Sequence, residues 1–117
     1  MAFIVTIDKG TSVAKAVLVS DQGEEVAVAR RPTTSHHPRP GWHEEDPQAT
    51  WDTAALLVRE IMKKSGVHPD HIAAVGVTAH MSGLILLDDV GCPVYPNVLW
   101  DDARAASIVQ DWQESPT

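Results

Sequence analysis

The sequence contains little cysteine and little basic charge. Its single cysteine, Cys92, excludes an internal disulfide framework and is typical of a reducing cytoplasm. Lys and Arg number 9 against 16 Asp and Glu, which gives a formal net charge of -7. Because nucleic acid is a polyanion, this net charge opposes binding to it, and we expect no nucleic-acid partner.

Long apolar runs are also missing at the start of the chain. The opening MAFIVTIDKG has no basic region, and its apolar stretch ends at Asp8, so it predicts neither a signal peptide nor a membrane-spanning helix. We therefore expect a cytoplasmic protein with no membrane partner. With 117 residues, of which 44% are apolar, the chain can form one domain or part of one.

Three short strands are predicted before residue 32, followed by a long loop. The strands are Phe3 to Asp8, Ala14 to Ser20 and Glu25 to Arg31. Short connections between consecutive strands predict antiparallel pairing. Residues 31–47 contain four prolines and little periodicity, and a loop of this length in a compact domain is usually functional or covered by a partner.

A first helix is predicted after this loop. Asp46 is its expected N-cap, Pro47 its first residue, and Ser65 and Gly66 its end. The helical spacing of apolar residues predicts one buried face, which comprises Trp51, Ala54, Ala55, Val58, Ile61 and Met62.

The remainder predicts further strands and a second helix. His71 to Ala79 is almost continuously apolar, which is typical of a strand covered on both faces. Gly83 to Val94 predicts a strand, a turn at Asp88 to Gly91 and another extended piece, and an amphipathic helix is predicted from near Asp102. Overall the order predicts an α/β fold, a mixed sheet with packed helices. The second helix would pack through Ala105, Ile108, Val109 and Trp112.

The turn between the first two strands has the sequence DKGTS. Gly10 and the hydroxyls of Thr11 and Ser12 would direct N–H and O–H groups toward one concavity, which suits phosphate oxygens. Asp8 would repel a phosphate unless Mg²⁺ lay between them, and Lys15 could add positive charge. On spacing alone, a plain hairpin turn is the favoured alternative.

Three motifs that follow one another along the chain favour the phosphate-binding interpretation over the plain hairpin turn. The segments IDKGTSVAKAVLV, GWHEEDPQATW and IAAVGVTAHMSGLILLDDVGCPVYPNVLWDDARA resemble the N-terminal part of the FGGY carbohydrate kinases, relatives of glycerol kinase and xylulokinase. The resemblance covers essentially residues 1–117 and implies part of the first of two actin-like, ribonuclease H-like ATPase domains. It also implies that the DxGT turn faces ATP and Mg²⁺, with phosphate and metal contacts from Asp8, Gly10, Thr11, Ser12 and Lys15.

The resemblance also implies that some functional residues of the family lie outside these 117 residues. In the family the catalytic aspartate and the adenosine-binding segments lie beyond the first 117 residues, so we assign no catalytic residue here and expect an N-terminal fragment that is inactive alone. The favoured function is ATP-dependent phosphorylation of a sugar or polyol hydroxyl by the full-length enzyme. The alternatives are a non-catalytic module that binds nucleotide or a protein partner, and a generic actin-like ATPase or phosphatase.

The segment TAHMSG resembles the part of the family that contacts the sugar. It stands where xylulokinases have SGQMHG and glycerol kinases have TNQRET, so the resemblance assigns His80, Met81 and Ser82 to substrate binding. Met81 and Ser82 replace the Arg and Glu of glycerol kinases, which argues against glycerol, and Ser82 replaces a xylulokinase His, which argues against xylulose. For His80, a hydrogen bond to the loop backbone is the alternative.

The segment LWDDARA resembles the family pattern LWNDxR. The resemblance assigns Asp102 and Arg104 to the sugar cleft. We interpret Asp101 as a helix cap and Trp100 as a core residue, with stacking on a sugar as the alternative for Trp100.

The segment GWHEEDP resembles the family pattern GWxEQDP. The resemblance implies that Trp42 and Glu44 anchor the long loop ahead of the first helix. His36, His37 and His43 lie nearby, but they lack the i, i+4 spacing of a helical zinc site, and we expect no such site.

Overall fold

Three consecutive antiparallel strands open the fold. In the computed structural model, which describes residues 1–115, they are β1 (Phe3–Lys9), β2 (Val13–Ser20) and β3 (Glu25–Pro32). Each differs from the predicted strand by one residue at one end, so the prediction of an antiparallel meander is confirmed. The tight turns between these strands keep the pairing local in sequence, which is why periodicity alone located them.

The fourth strand of this sheet comes later in the chain. It is β6 (Ile72–Ala79), and it pairs with β1 in parallel. The sheet order is β3-β2-β1-β6, and the register places Asp8 opposite Thr78. Because parallel strands end at the same edge, the turn after β1 lies beside the loop after β6. A hydrogen bond of 3.0 Å from the backbone N–H of His80 to the carbonyl of Lys9 joins them.

After β2, β3 and the long loop, the helix α1 (Pro47–Ser65) leads the chain back to β6. The Asp46 side chain accepts a hydrogen bond from the N–H of Gln48 at 2.8 Å, and Gly66 ends the helix with a φ of 68°. This left-handed conformation is readily adopted only by glycine, so the predicted cap, start and end are all confirmed.

The buried face of α1 differs from the predicted one at two positions. Leu57 and Ile61, one turn apart, are fully buried against β1, β2 and β3. Trp51 is 70% exposed, so its assignment to the core face was wrong. Trp51 lies about 120° around the helix axis from Leu57, in the first part of α1. The side chains of α1 that pack on the sheet belong to its later turns.

Truncation of Leu57 tests this packing. Leu57→Ala is expected to lower the free energy of unfolding by about 2–5 kcal/mol, because it leaves a cavity under a fully buried side chain. Leu56→Ala, at a side chain that is 45% exposed, is the matched control and should cost less than about 1 kcal/mol. Urea unfolding followed by circular dichroism measures both, and equal losses would contradict the assigned face.

The predicted double covering of β6 is wrong within the described residues. Val75 is 60% exposed and Val77 is 70% exposed. The helix α1 packs on β1, β2 and β3, and β6 is the last strand in the sheet order. Within residues 1–115, these apolar side chains of β6 are therefore left largely uncovered.

The segment after β6 is extended but forms no named strand, so the strand predicted within Gly83–Val94 was wrong. Isolated bridges pair Leu84 with Val98 and Leu87 with Pro93. The predicted turn is present, with the N–H of Gly91 donating to the carbonyl of Asp88 at 3.1 Å.

A small second sheet ties the long loop to the C-terminal part of the chain. It consists of β4 (Ser35–His36), β5 (Glu44–Glu45) and β7 (Asn97–Val98), in the order β4-β5-β7. The second helix, α2 (Ala106–Glu114), begins four residues later than predicted, and its apolar side chains are exposed. Within residues 1–115, neither helix combines the length and the apolar character needed to cross a bilayer.

Candidate functional site: a turn and an adjoining depression

The turn after β1 is tight because of Gly10. Its N–H donates to the carbonyl of Val13 at 3.0 Å, and a Cβ at this position would lie only 2.8 Å from the same carbonyl oxygen. A side chain here would force the backbone to move. Asp8 is the penultimate residue of β1, two positions before Gly10, and it is exposed.

Thr11 and Ser12 accept hydrogen bonds from two other parts of the chain. The N–H of Thr33 donates to the carbonyl of Ser12 at 2.9 Å, and the Thr33 hydroxyl donates to the carbonyl of Thr11. The indole Nε1–H of Trp100 donates to Thr11 Oγ1 at 3.1 Å. Because the Thr11 hydroxyl accepts this bond, its own proton stays available for a phosphate oxygen.

Lys15 lies directly across the strand pair from Asp8. Its Nζ forms an ion pair with Glu25 Oε2 at 3.9 Å. The register therefore agrees with a positive charge beside the turn, while the ammonium group itself leans toward β3. A flexible four-carbon side chain can turn from such a long, exposed ion pair to an anion at small cost.

An open depression of about 430 Å³ adjoins the turn. Three of the predicted substrate residues, His80, Met81 and Ser82, line it together with Trp100. Trp100 is 57% exposed, so the interpretation as a core residue was wrong. Ser82 has a φ of 62°, an uncommon left-handed conformation for a residue other than glycine, and it turns the chain sharply at this rim.

Asp102 and Arg104 do not line this depression. Arg104 Nη2 lies 2.7 Å from Asp102 Oδ2 and 2.8 Å from Glu44 Oε1, and its guanidinium lies 3.8 Å from the centre of the Trp42 ring. The hydrogen bond from Arg104 lowers the pKa of Asp102, and the same bond raises the pKa of Arg104. These contacts anchor the long loop, which agrees with the role implied for Trp42 and Glu44.

Asp101 does not cap α2. Its Oδ1 lies 2.6 Å from Nδ1 of His43, and the hydrogen bond from His43 lowers the pKa of the Asp101 carboxyl. The N-cap position of α2 is Ala105, which makes no side-chain hydrogen bond. The predicted cap was therefore wrong, because the carboxylate is drawn to the long loop instead.

Sequence reasoning missed a buried polar cluster, which lines a separate cavity of about 250 Å³ and shares His80 with the depression. Lys9 Nζ lies 2.8 Å from Glu45 Oε2, and both residues are buried. Glu45 Oε1 accepts from Asn97 Nδ2 at 3.4 Å and lies 3.6 Å from His80 Nε2. Burial opposes ionisation of Glu45, but the hydrogen bond and charge of Lys9 keep its pKa below the usual value.

One signal in the sequence could have revealed this cluster. Lys9 follows Phe3, Val5 and Ile7 in the period-two pattern of β1, so it points to the buried face. A buried ammonium group requires a buried partner, which makes an acid elsewhere in the chain the expected neighbour. The sequence does not reveal which of the 16 acidic residues it is.

The comparisons with known proteins agree with this geometry. Residues 3–117 match the N-terminal domain of the FGGY family of carbohydrate kinases. The chain belongs to this family. A glycerol kinase from Citrifermentans bemidjiense is 34% identical over 115 residues, which is 97% of this chain and 23% of that relative. The chain thus spans about a quarter of the length of such relatives.

Solved structures of FGGY kinases superpose on the fold. A xylulose kinase from Rhodospirillum rubrum is 33% identical, with a TM-score of 0.86 over 95% of this chain and 23% of its own. A gluconate kinase from Lactobacillus acidophilus is 28% identical, with a TM-score of 0.87 over 96% of this chain and 22% of its own. The prediction of an actin-like, ribonuclease H-like ATPase fold is confirmed.

Proposed function

We propose that these residues form the phosphate-binding turn and part of the sugar site of a kinase that phosphorylates a hydroxyl of a sugar or polyol with ATP. The observation that carries this proposal is the hydrogen bond between Trp100 and Thr11. It joins the turn to the depression, and phosphoryl transfer requires the phosphate donor and the acceptor to meet in one place.

On the nucleotide side, we assign roles by chemistry. The hydroxyls of Thr11 and Ser12 and the backbone of Gly10 would donate to phosphate oxygens, and Lys15 would add positive charge. When bound, Mg²⁺ would neutralise charge on the phosphates.

Asp8 would hold this Mg²⁺, and its surroundings fit such a role. Asp8 is exposed, and it precedes the turn residues Gly10, Thr11 and Ser12 along the chain. Residues 1–115 contain no group of three or more His, Cys, Asp or Glu suited to a metal cage. Because Mg²⁺ in kinases uses one or two carboxylates and completes its shell with phosphates and water, one exposed carboxylate is sufficient.

On the acceptor side, the depression is less charged than a glycerol-binding clamp. Met81 and Ser82 offer a thioether and a hydroxyl, while the exposed Trp100 face can stack on the apolar face of a sugar. The base that removes the proton of the acceptor hydroxyl is assigned to the part of the kinase beyond this chain. Asp102 and Arg104 then support the sugar site from the loop behind it.

The relatives do not identify the molecule that accepts the phosphoryl group. Those reported above are called a glycerol kinase, a xylulose kinase and a gluconate kinase, so membership of the family does not determine the substrate. We propose a polyol or ketose other than glycerol, because Met81 and Ser82 cannot form the bidentate charged contacts that hold a small polyol.

A substrate panel tests the proposal. The complete kinase, assayed by coupled ADP release with polyols and ketoses, is expected to phosphorylate a longer acceptor at least about tenfold more efficiently than glycerol. ADP release without acceptor is the control. Efficient use of glycerol with poor use of every longer polyol would contradict the acceptor assignment. ADP release that no sugar changes would indicate a generic ATPase, and nucleotide binding without turnover would indicate a binding module.

A further inference from the structure

We propose that His43 is a positioning residue that holds Trp100 against the phosphate-binding turn. The effect on sugar binding rests on the function proposed above, whereas the effect on Trp100 itself does not. Trp100 is more than half exposed, so packing alone does little to fix its side chain. Its side chain is held by the hydrogen bond to Thr11 Oγ1 at 3.1 Å, and the backbone that carries Trp100 determines whether the indole reaches that oxygen.

His43 contacts the residues on both sides of Trp100. The carbonyl of His43 accepts a hydrogen bond of 2.9 Å from the N–H of Leu99. Nδ1 of the same residue lies 2.6 Å from Oδ1 of Asp101. One side chain and one carbonyl of His43 therefore help to hold the 99–101 segment, alongside the pairing of β5 with β7.

His43 is itself firmly held. It is buried, its N–H donates to Asp102 Oδ2 at 2.6 Å, and its ring stacks on that of His37 with centroids 4.1 Å apart. The remaining ring nitrogen, Nε2, lies 2.8 Å from Oγ of Ser35 in β4. Because a carboxylate can only accept, Nδ1 carries the proton toward Asp101, and in the neutral ring Nε2 accepts from Ser35.

The His43 and Asp101 pair joins two of the motifs of this sequence. The family pattern GWxEQDP leaves the position of His43 open, and LWNDxR has Asn where this chain has Asp101. A charge-assisted hydrogen bond of 2.6 Å thus joins two positions that lie 58 residues apart. We infer that this pair determines how far the Trp100 side chain extends toward the acceptor.

Replacements of His43 separate its two ring contacts. In His43→Asn the amide nitrogen occupies the place of Nδ1 and can still donate to Asp101. In His43→Gln the amide nitrogen reaches only toward Ser35, and His43→Leu keeps neither contact. His68→Gln is the matched control, because exposed His68 also faces a carboxylate, with Nδ1 3.3 Å from Asp70 Oδ2.

The readout is the indole N–H signal of Trp100 in a proton–nitrogen correlation spectrum of this chain, identified by its loss in Trp100→Phe. His43→Leu and His43→Gln are expected to shift this signal and speed its exchange with water about tenfold or more. His43→Asn and His68→Gln should leave it in place. An unchanged signal in folded His43→Leu overturns the proposal.

Asp101→Ala is a second variant that tests the proposal even if His43→Leu does not fold. The Asp101 side chain is partly exposed, so its removal should leave the thermal transition nearly unchanged while shifting the Trp100 signal as His43→Leu does. If His43→Leu does not fold, Asp101→Ala alone decides, and a Trp100 signal that it leaves unmoved overturns the proposal.

Steady-state kinetics on the complete kinase tests the consequence for the sugar. His43→Leu is expected to raise KM for the sugar about tenfold and KM for ATP less than about twofold, with rescue by His43→Asn. Equal changes in both constants would overturn the link to the acceptor. A shifted Trp100 signal in a kinase that no sugar activates would support the positioning role and refute the proposed function.

Discussion

Asp8→Ala is expected to lower the turnover of the complete kinase by a factor of about 10² to 10³, which corresponds to about 3–4 kcal/mol of transition-state stabilisation. The reason is that Asp8 is exposed next to the turn that we propose binds phosphate, and it is the residue that we propose holds Mg²⁺. Its removal deletes no buried contact, so the thermal transition should stay close to that of the unchanged protein.

The control for this prediction lies at the other end of the sheet. Asp70 is an exposed acid in the short 3₁₀ helix (Pro69–His71) that precedes β6, whereas Asp8 pairs with Thr78 near the end of β6. Asp70→Ala changes the net charge equally and should leave turnover unaltered. A coupled ADP assay over a range of Mg²⁺ concentrations measures both variants. Near-normal turnover of Asp8→Ala at saturating Mg²⁺ would refute the metal assignment.

The isolated chain of 117 residues is expected to self-associate, as a dimer, and to lack sugar-dependent kinase activity. In the described residues β6 is an edge strand, and it exposes Val75 and Val77. An unpaired strand edge and an exposed apolar face both favour contact with a second copy. Without the expected base, only weak contacts to phosphate or Mg²⁺ at the turn should remain.

Light scattering at several protein concentrations measures this association. Val77→Lys should shift the chain toward the monomer, because a charge on the exposed face resists burial. Val26→Lys, on a partly exposed position of β3, is the matched control and should change little. A monodisperse monomer that turns over ATP in response to a sugar would contradict the expectation. The catalytic base would then have to be sought among Asp88, Asp89, Asp101 and Asp102.

The amino-acid sequence by itself determined the strands β1, β2 and β3 and the helix α1. Their signals are local: alternating apolar residues, Asp46 and Pro47 at the start of the helix, and Gly66 at its end. The turn at Asp8 to Ser12 and the motif at His80 to Ser82 were also recognisable, because a motif is a contiguous string. The strand β6 was also recognisable from its apolar run, although its predicted burial was wrong.

Only the tertiary structure decided which side chains meet. Lys9 and Glu45 are 36 residues apart, His43 and Asp101 are 58 apart, and Thr11 and Trp100 are 89 apart. Periodicity reports the face on which a residue lies but not its partner on another element, so Asp101 was mistaken for a cap and Trp100 for a core residue. The positions of both depend on His43, whose loop is held against the 97–104 segment by the pairing of β5 with β7.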